Sequence, residues 1–296
     1  MKPVSLERTK LYVRKHFRQI VGEILGPKPG HVDWLVDTGE RRTTICGRQI
    51  EIWQLNPQDN EATLSAWAAH FRQHYISDEH LPLMVGGTGL TNAEYLRQTL
   101  LPDRTQPPGP SLRSGDFGEI LVADYIEYVL GYWCPRELRY QGRWNRNDST
   151  KGCDVIGFKF FADGQPHPGD ELFVYETKSG MAPSNSNRLQ DAITDSDKDK
   201  LREAMSLNAM KHKFVERGAM DNANRVQRFQ NMADNPFRRV NGAVAILDDE
   251  VFEQTDLTIA DASEHYNAAN IQLIIIKGPS LMTLVHALYD RAADEA

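Results

Sequence analysis

Three short apolar runs constrain the fold of this 296-residue chain more than any other feature of its sequence. They lie at residues 172–175, 243–247 and 271–276, and runs of this length and composition are typical of buried strands. A helical stretch at 116–130 precedes the first run, and polar helical segments separate the others. The order helix, strands, helix, strand predicts an α/β fold whose core is a mixed central sheet flanked by helices.

The remaining elements follow from local patterns. Residues 154–161 and 171–178 are predicted to form a hairpin, because turn residues Asp163, Gly164 and Pro166 separate them. Short strands are also predicted at 44–55 and 137–141. Further helices are predicted at 61–75, 92–100, 189–217, 222–232 and 281–291.

A proline-rich stretch at 101–114 suggests a division of the chain. Its four prolines and a glycine within nine residues are typical of a linker. We therefore expect an N-terminal α+β region at 1–105, interpreted as a candidate partner-docking region, and a main domain at 106–296. The N-terminal region contains no helix-turn-helix or zinc pattern.

Composition indicates a globular protein of the cytoplasm. Hydrophobic residues make up 40% and charged residues 25% of the chain, and no apolar run approaches the roughly 20 residues that span a bilayer. The first residues lack the apolar core of a signal peptide, so we expect a cytoplasmic protein without membrane contact. The three cysteines fit neither a disulfide framework nor a zinc site.

The net charge of −7 argues against a protein that coats DNA by bulk attraction. The charge is uneven, however, with eight basic and four acidic residues at 201–240 and seven acidic and no Lys or Arg residues at 247–266. A basic face on an acidic protein is compatible with nucleic-acid binding, although solvated helix faces explain either segment equally well.

Glu176-Thr177-Lys178 is the only place in the sequence where an acid, any residue and a lysine follow in that order. It closes the apolar run at 172–175, so Glu176 and Lys178 are predicted to share a strand face about 7 Å apart. Two charges toward the interior are costly unless they meet a metal and a substrate phosphate. The alternative is an ion pair that points to water at a fraying strand end.

Two further acids precede this triplet. Glu119 lies on the predicted helix beside a buried stripe, whereas Asp116, Asp124 and Glu127 are predicted to form its polar stripe. Asp154 begins a strand, where aspartate is unfavourable without a reason. The alternatives are a helix-dipole contact for Glu119 and a turn cap for Asp154.

Three acids and a lysine in this order suit phosphodiester hydrolysis. Carboxylate oxygens are ligands that Mg²⁺ prefers, and a bound ion activates water and offsets phosphoryl charge. We predict Mg²⁺, with Mn²⁺ as a substitute, held by Glu119, Asp154, Glu176 and the carbonyl of Thr177. Lys178 is expected to orient or deprotonate the water, or to stabilise developing negative charge.

This set resembles the PD-(D/E)xK nuclease superfamily, with Asp154 as the leading acid and Glu176 and Lys178 as the closing pair. The segments 115–121 (GDFGEIL), 151–154 (KGCD) and 175–178 (YETK) are similar to those of the HamA family, the nuclease subunits of the Hachiman anti-phage defence system. The resemblance implies a DNA-degrading effector that a superfamily 2 helicase partner, HamB, holds until foreign or damaged DNA is sensed.

Basic and aromatic residues near these acids suggest a DNA groove, since basic groups track phosphates and aromatics stack on bases. An exposed loop with an aromatic anchor explains the same segment about as well, and residues 185–188 by default cap the following helix. The predicted nucleic-acid contacts are Arg139, Arg143, Trp144, Arg146, Lys151 and Arg188.

Two alternative functions remain at this point. A restriction-type endonuclease would read bases with its own specificity region at 1–100. A catalytically inert subunit would keep the nuclease fold for binding or assembly, although decay usually removes one member of such a site.

Overall fold

A computed structural model describes residues 26–141, 143–161, 165–184 and 186–296, so that residues 1–25 of the predicted N-terminal region and the turn residues Asp163 and Gly164 lie outside the described part. The described strands form a single six-stranded sheet. They are β1 (Leu35–Thr43), β2 (Gln49–Leu55), β3 (Val155–Lys159), β4 (Glu171–Gly180), β5 (Arg238–Asp248) and β6 (Ile271–Gly278).

The sheet is mixed, with the order β1-β2-β6-β5-β4-β3. Its centre is parallel, because β2, β6, β5 and β4 pair in the same direction, whereas β1 and β3 pair antiparallel with their neighbours at the two edges. Helices cover both faces. The predicted α/β fold class, with its restriction-endonuclease-like core, is confirmed.

Ten α-helices are described, and none of them combines the length and apolar content needed to cross a membrane. The segments 96–100 and 125–129 continue two of these helices as π-helical turns. The helices are α1 (Glu61–Gln73), α2 (Leu81–Val85), α3 (Asn92–Tyr95), α4 (Gly109–Asp124), α5 (Glu137–Tyr140), α6 (Arg188–Asp197), α7 (Asp199–Glu216), α8 (Met220–Gln227), α9 (Asp249–Gln254) and α10 (Leu281–Asp294).

The predicted linker at 101–114 is wrong in its second half. Helix α4 begins at Gly109, with Pro108 at its N-cap and Pro110 in its first turn. The first N–H groups of a helix have no partner within it, so proline is tolerated there. The N-terminal strands β1 and β2 also join the central sheet through β6, so residues on both sides of position 105 build one sheet.

Two other local predictions are corrected. Residues 137–140 form the single-turn helix α5 rather than a strand. The long helix predicted at 189–217 is interrupted at Lys198, which separates α6 from α7. Strand β1 was not predicted, because most of its side chains are polar and exposed at the sheet edge.

The core has one layer on each face of the sheet. Phe173 and Tyr175 of β4 pack with α4 and α10 on one face, whereas Leu172 and Val174 pack with α7 and α8 on the other. Side chains of a strand alternate between faces. Glu176 therefore continues the row of Leu172 and Val174, as predicted.

The predicted polar stripe of α4 is wrong, because Asp116, Asp124 and Glu127 are all buried. Asp124 accepts from His31 and from His70 at 2.9 Å each. Arg136 lies 2.7 Å from the same carboxylate and thereby supplies its counter-charge. Both oxygens of Asp124 thus have partners within the chain, and we interpret this buried ion cluster as a structural tie between the N-terminal part and α4.

Candidate active site

The second half of β4 carries the acid and the lysine of the predicted triplet. Glu176 is buried, and its Oε1 lies 2.7 Å from Nζ of Lys178. The same ammonium lies 2.7 Å from Oδ2 of Asp195 on α6. Burial by itself lowers the pKa of Lys178, but the adjacent Glu176 and Asp195 together outweigh burial and raise it. Lys178 is therefore a firmly protonated cation.

The second oxygen of Glu176 has no hydrogen-bond partner among the described residues. This atom, Oε2, is fully buried. Burial is the main cause that raises the pKa of Glu176, although Lys178 opposes the shift. A buried carboxylate oxygen without a donor is unfavourable unless a cation approaches it, so this atom fits a metal ligand.

Asp154 lies directly before β3 and next to the triplet. Its Oδ2 accepts from the backbone N–H of Thr177 at 3.1 Å, and its Oδ1 accepts from Nη2 of Arg139 at 2.8 Å. Burial raises the pKa of Asp154 well above its ordinary value, and the nearby Glu119 raises it further. The hairpin thus brings the leading acid to the closing pair.

Helix α4 brings Glu119 to the opposite side of this group. A Cβ atom at Gly118 would lie 2.6 Å from Oγ of Ser179, so only glycine permits the close contact between α4 and β4. Ser179 also donates to the carbonyl of Ser114 at 2.8 Å. Both contacts hold α4 against the end of β4 and thereby set the position of Glu119.

A cavity of about 590 Å³ joins these side chains. Its charged groups come from α4, from α5, from the segment before β3, from β4 and from the start of α6. Its charged lining includes Glu119, Asp154, Glu176, Lys178, Arg139 and Arg188. The four residues predicted to be catalytic therefore meet at one site.

The three acids do not surround a single point closely. Among the described residues, one group of three acidic or histidine ligand atoms lies within 4.8 Å of one another, and it consists of His31, His70 and Asp124. Glu119 is held by Arg139 and by the hydroxyl of Tyr140, which donates to its Oε2 at 2.7 Å. The carboxylates of Asp154 and Glu176 are therefore the better placed pair for an ion, with the carbonyl of Thr177 remaining a prediction.

All four predicted DNA-binding arginines form ion pairs within the chain, and Arg188 does so locally, with Asp191. The other three pair with acids that are further away in sequence. Arg139 binds Glu119 and Asp154, and Arg143 binds both oxygens of Asp116 at 2.9 Å. Arg146 lies 2.7 Å from Asp103. Long-range pairing of this kind leaves no local pattern in the sequence.

The other predicted contacts are more accessible. The side chain of Trp144 is 99% exposed, and Lys151 is exposed as well. Both line a second cleft of about 330 Å³ that shares Arg139 and Asp154 with the larger cavity. Arg188 lies at the start of α6, which is capped by Asn187 as predicted, while Asn185 lies outside the described residues.

Two acids near the site were not predicted. Asp195 binds Lys178, as described above, and Asp199 is fully buried at the start of α7. Burial raises the pKa of Asp199 to about 7, and the nearby Asp154 contributes to this shift. Both residues belong to an alternating acid and lysine run at 195–200 that is typical of a solvated helix face, so no local pattern distinguishes them as site residues.

Comparison with protein families decides the relationship of the chain. The model of the HamA family matches residues 30–292. The chain belongs to the HamA family. A search of curated proteins gave no match. HamA is a component of the Hachiman anti-phage defence system, so the family assigns this chain a place in that system.

Proposed function

We propose that this HamA-family chain is a metal-dependent deoxyribonuclease, the effector of a Hachiman-like system. The observation that carries the proposal is the meeting of Asp154, Glu176 and Lys178 in one cavity, with a buried oxygen of Glu176 that lacks a donor in the part of the chain that the structure describes. A structural ion cluster would satisfy that oxygen, as the cluster around Asp124 does. The site is therefore organised for a cation and an anionic substrate.

The donor set fits Mg²⁺, with Mn²⁺ as a substitute. Oxygen ligands from Asp154 and Glu176 suit a hard divalent cation, and Glu119 lies across the same cavity. A bound divalent ion supplies activation of a water and charge compensation at the phosphoryl oxygens. Burial is the main cause that raises the pKa of both Asp154 and Glu176, so their charged forms are costly, and such an ion would offset that cost.

Lys178 acts in this proposal as a fixed positive charge. Its ammonium is held between Glu176 and Asp195, and its raised pKa makes deprotonation at neutral pH unfavourable. Among the roles considered for this lysine, stabilisation of the developing phosphoryl charge and orientation of water are favoured over general-base catalysis.

DNA is proposed to reach the site along the smaller cleft. Trp144 and Lys151 offer a stacking surface and a phosphate contact there, and Arg188 offers a second cation at the main cavity. The proposed partner is a superfamily 2 helicase related to HamB. We infer this partner from the family and from the two-component nature of the Hachiman system.

The test is cleavage of plasmid and linear DNA by the purified chain with Mg²⁺ or Mn²⁺, alone and with the co-purified helicase. Lys178→Ala and Glu176→Gln are expected to lose cleavage while retaining a cooperative melting transition. Lys200→Ala removes an exposed lysine of α7 and serves as the matched control, which should cleave like the unmodified chain.

Metal-dependent cleavage that persists in both site variants would reject the assignment. Absence of cleavage by the unmodified chain, with and without the helicase, would favour the inert assembly subunit. The restriction-type alternative is less favoured, because the described part of the N-terminal region extends the central sheet through β1 and β2.

A further inference from the structure

We propose that Arg139 is a resident cation of the site that competes with the divalent ion for Asp154. The guanidinium forms ion pairs with Glu119 and Asp154 in the metal-free chain, and a nucleic-acid phosphate draws it away from Asp154 so that the ion binds. This inference rests on the proposed function and concerns how the same site is loaded with metal.

The contacts of Arg139 use every nitrogen of its guanidinium. Nε donates to Oε2 of Glu119 at 2.6 Å, and Nη2 donates to Oε1 of Glu119 at 3.2 Å and to Oδ1 of Asp154 at 2.8 Å. Nη1 donates to the backbone carbonyl of Cys153. One side chain thus links α4 to the residue that begins the hairpin.

The two oxygens of Asp154 are held by different partners. Its Oδ2 is already bonded to the backbone of Thr177, and this bond belongs to the packing of β3 against β4. Its Oδ1 is the oxygen that Arg139 holds. A divalent ion on Oδ1 would lie beside the guanidinium in a largely buried site, where repulsion between two cations is weakly screened.

The position of Arg139 allows it to exchange partners. It lies on α5, a single helical turn, with exposed Trp144 four residues beyond the end of that helix. It also lines both the main cavity and the cleft proposed for DNA. A phosphodiester entering there offers the planar guanidinium an anion with the geometry it prefers.

This arrangement makes metal and DNA binding cooperative. If a phosphate withdraws Arg139 from Asp154, DNA raises the affinity for the ion, and the ion raises the affinity for DNA by the same factor. A nuclease built in this way would hold little metal until nucleic acid is present.

The proposal is tested by whether substitution of Arg139 raises or lowers the affinity for Mn²⁺. Calorimetric titration with Mn²⁺, without DNA, is expected to give Arg139→Gln an affinity about tenfold higher than that of the unmodified chain. A residue that merely orients the ligands would give the opposite result, since loss of such a partner weakens metal binding by about 10- to 100-fold. Arg104→Gln, which removes an exposed arginine from an ion pair with Asp290 outside both cavities, is the matched control and should bind Mn²⁺ unchanged.

Arg139→Lys covers the case in which the glutamine variant does not fold, because it retains the charge but not the planar fork. The Mn²⁺ affinity of Arg139→Lys is expected to lie between that of the unmodified chain and that of Arg139→Gln. The coupling is measured with a short single-stranded oligonucleotide in a Lys178→Ala background, where Arg139→Gln should reduce the DNA-induced gain in Mn²⁺ affinity.

An unchanged or weaker Mn²⁺ affinity in both Arg139 variants overturns the competition. That result leaves the nuclease proposal intact, provided that Lys178→Ala still abolishes cleavage. Conversely, tighter Mn²⁺ binding by Arg139→Gln in a chain that never cleaves DNA would support the competition and reject the nuclease.

Discussion

The backbone N–H of Thr177 donates to Oδ2 of Asp154 across 3.1 Å, which fixes the leading acid beside the acid-x-lysine strand. The bond depends on an acceptor atom, whereas metal binding depends on charge. Substitutions at Asp154 can therefore distinguish its role as a hydrogen-bond acceptor from its proposed role as a metal ligand.

Asp154→Asn retains an amide oxygen that can accept from Thr177 but removes the negative charge. We expect DNA cleavage to fall by about 100-fold or more, because charge compensation by the metal contributes several kcal/mol. Circular dichroism should show a retained cooperative transition, whereas Asp154→Ala should melt at a lower temperature. Full cleavage by the asparagine variant would exclude Asp154 as a metal ligand.

Asp199→Asn is expected to stabilise the metal-free chain. Burial raises the folded-state pKa of Asp199 from 3.8 to about 7, so the folded chain holds a proton that the unfolded chain releases. Stability then falls as the pH rises through this window, and at pH 8 the cost amounts to about 2–4 kcal/mol. Urea unfolding at pH 5 and pH 8 measures the gain in the free energy of unfolding of Asp199→Asn over the unmodified chain. This gain should be larger at pH 8.

The control for Asp199 is Asp221→Asn, which neutralises an exposed acid at the start of α8. Its unfolding free energy should change by less than about 0.5 kcal/mol at either pH, as is usual for surface positions. Equal effects of the two variants would contradict the burial argument for Asp199.

His74 is expected to make the protein less stable in mild acid. Burial lowers its pKa well below 6.5, and the neighbouring Arg136 adds to the shift. Below pH 6.5 the unfolded chain therefore binds a proton that the folded chain excludes, which costs about 1.4 kcal/mol per pH unit. Thermal melting between pH 7.5 and 5 should show a steeper loss for the unmodified chain than for His74→Gln, and identical slopes would show that another group is responsible.

Trp144→Ala is expected to weaken DNA binding without affecting stability. The indole is 99% exposed, so its removal leaves the core intact. Loss of stacking should reduce the affinity for single-stranded DNA by about 1–3 kcal/mol per base, measured by anisotropy in a Lys178→Ala background. Trp144→Phe keeps an aromatic face and should retain most of the affinity, and an unchanged affinity of the alanine variant would remove Trp144 from the DNA path.

The sequence predicted those parts of the structure that depend on local pattern. Apolar runs marked β4, β5 and β6, and the hairpin placed Asp154 beside Glu176. Strand β1 was not predicted, because an exposed edge strand has no buried row of side chains and therefore no apolar pattern in the sequence. Likewise, α4 starts inside a proline-rich stretch because its first turn needs no N–H donors.

The ion pairs in and around the site could not be predicted from local sequence patterns. The basic segment that looked like a DNA groove supplies Arg136 to Asp124, Arg139 to Glu119 and Asp154, and Arg143 to Asp116. Each pair joins residues that are distant in sequence, and either partner alone resembles a solvated charge.

The parallel pairing of β2 with β6 also bears on how the molecule is made. Residues 49–55 leave the ribosome more than two hundred positions before residues 271–278, the strand they must pair with. Until β6 has been made, β1 and β2 cannot pair with the rest of the sheet. The apolar side chains of Ile50 and Ile52 then lack their packing partners on β6. This half of the sheet can therefore be completed only after β6 has been synthesised, so β2 joins it late although it is made early.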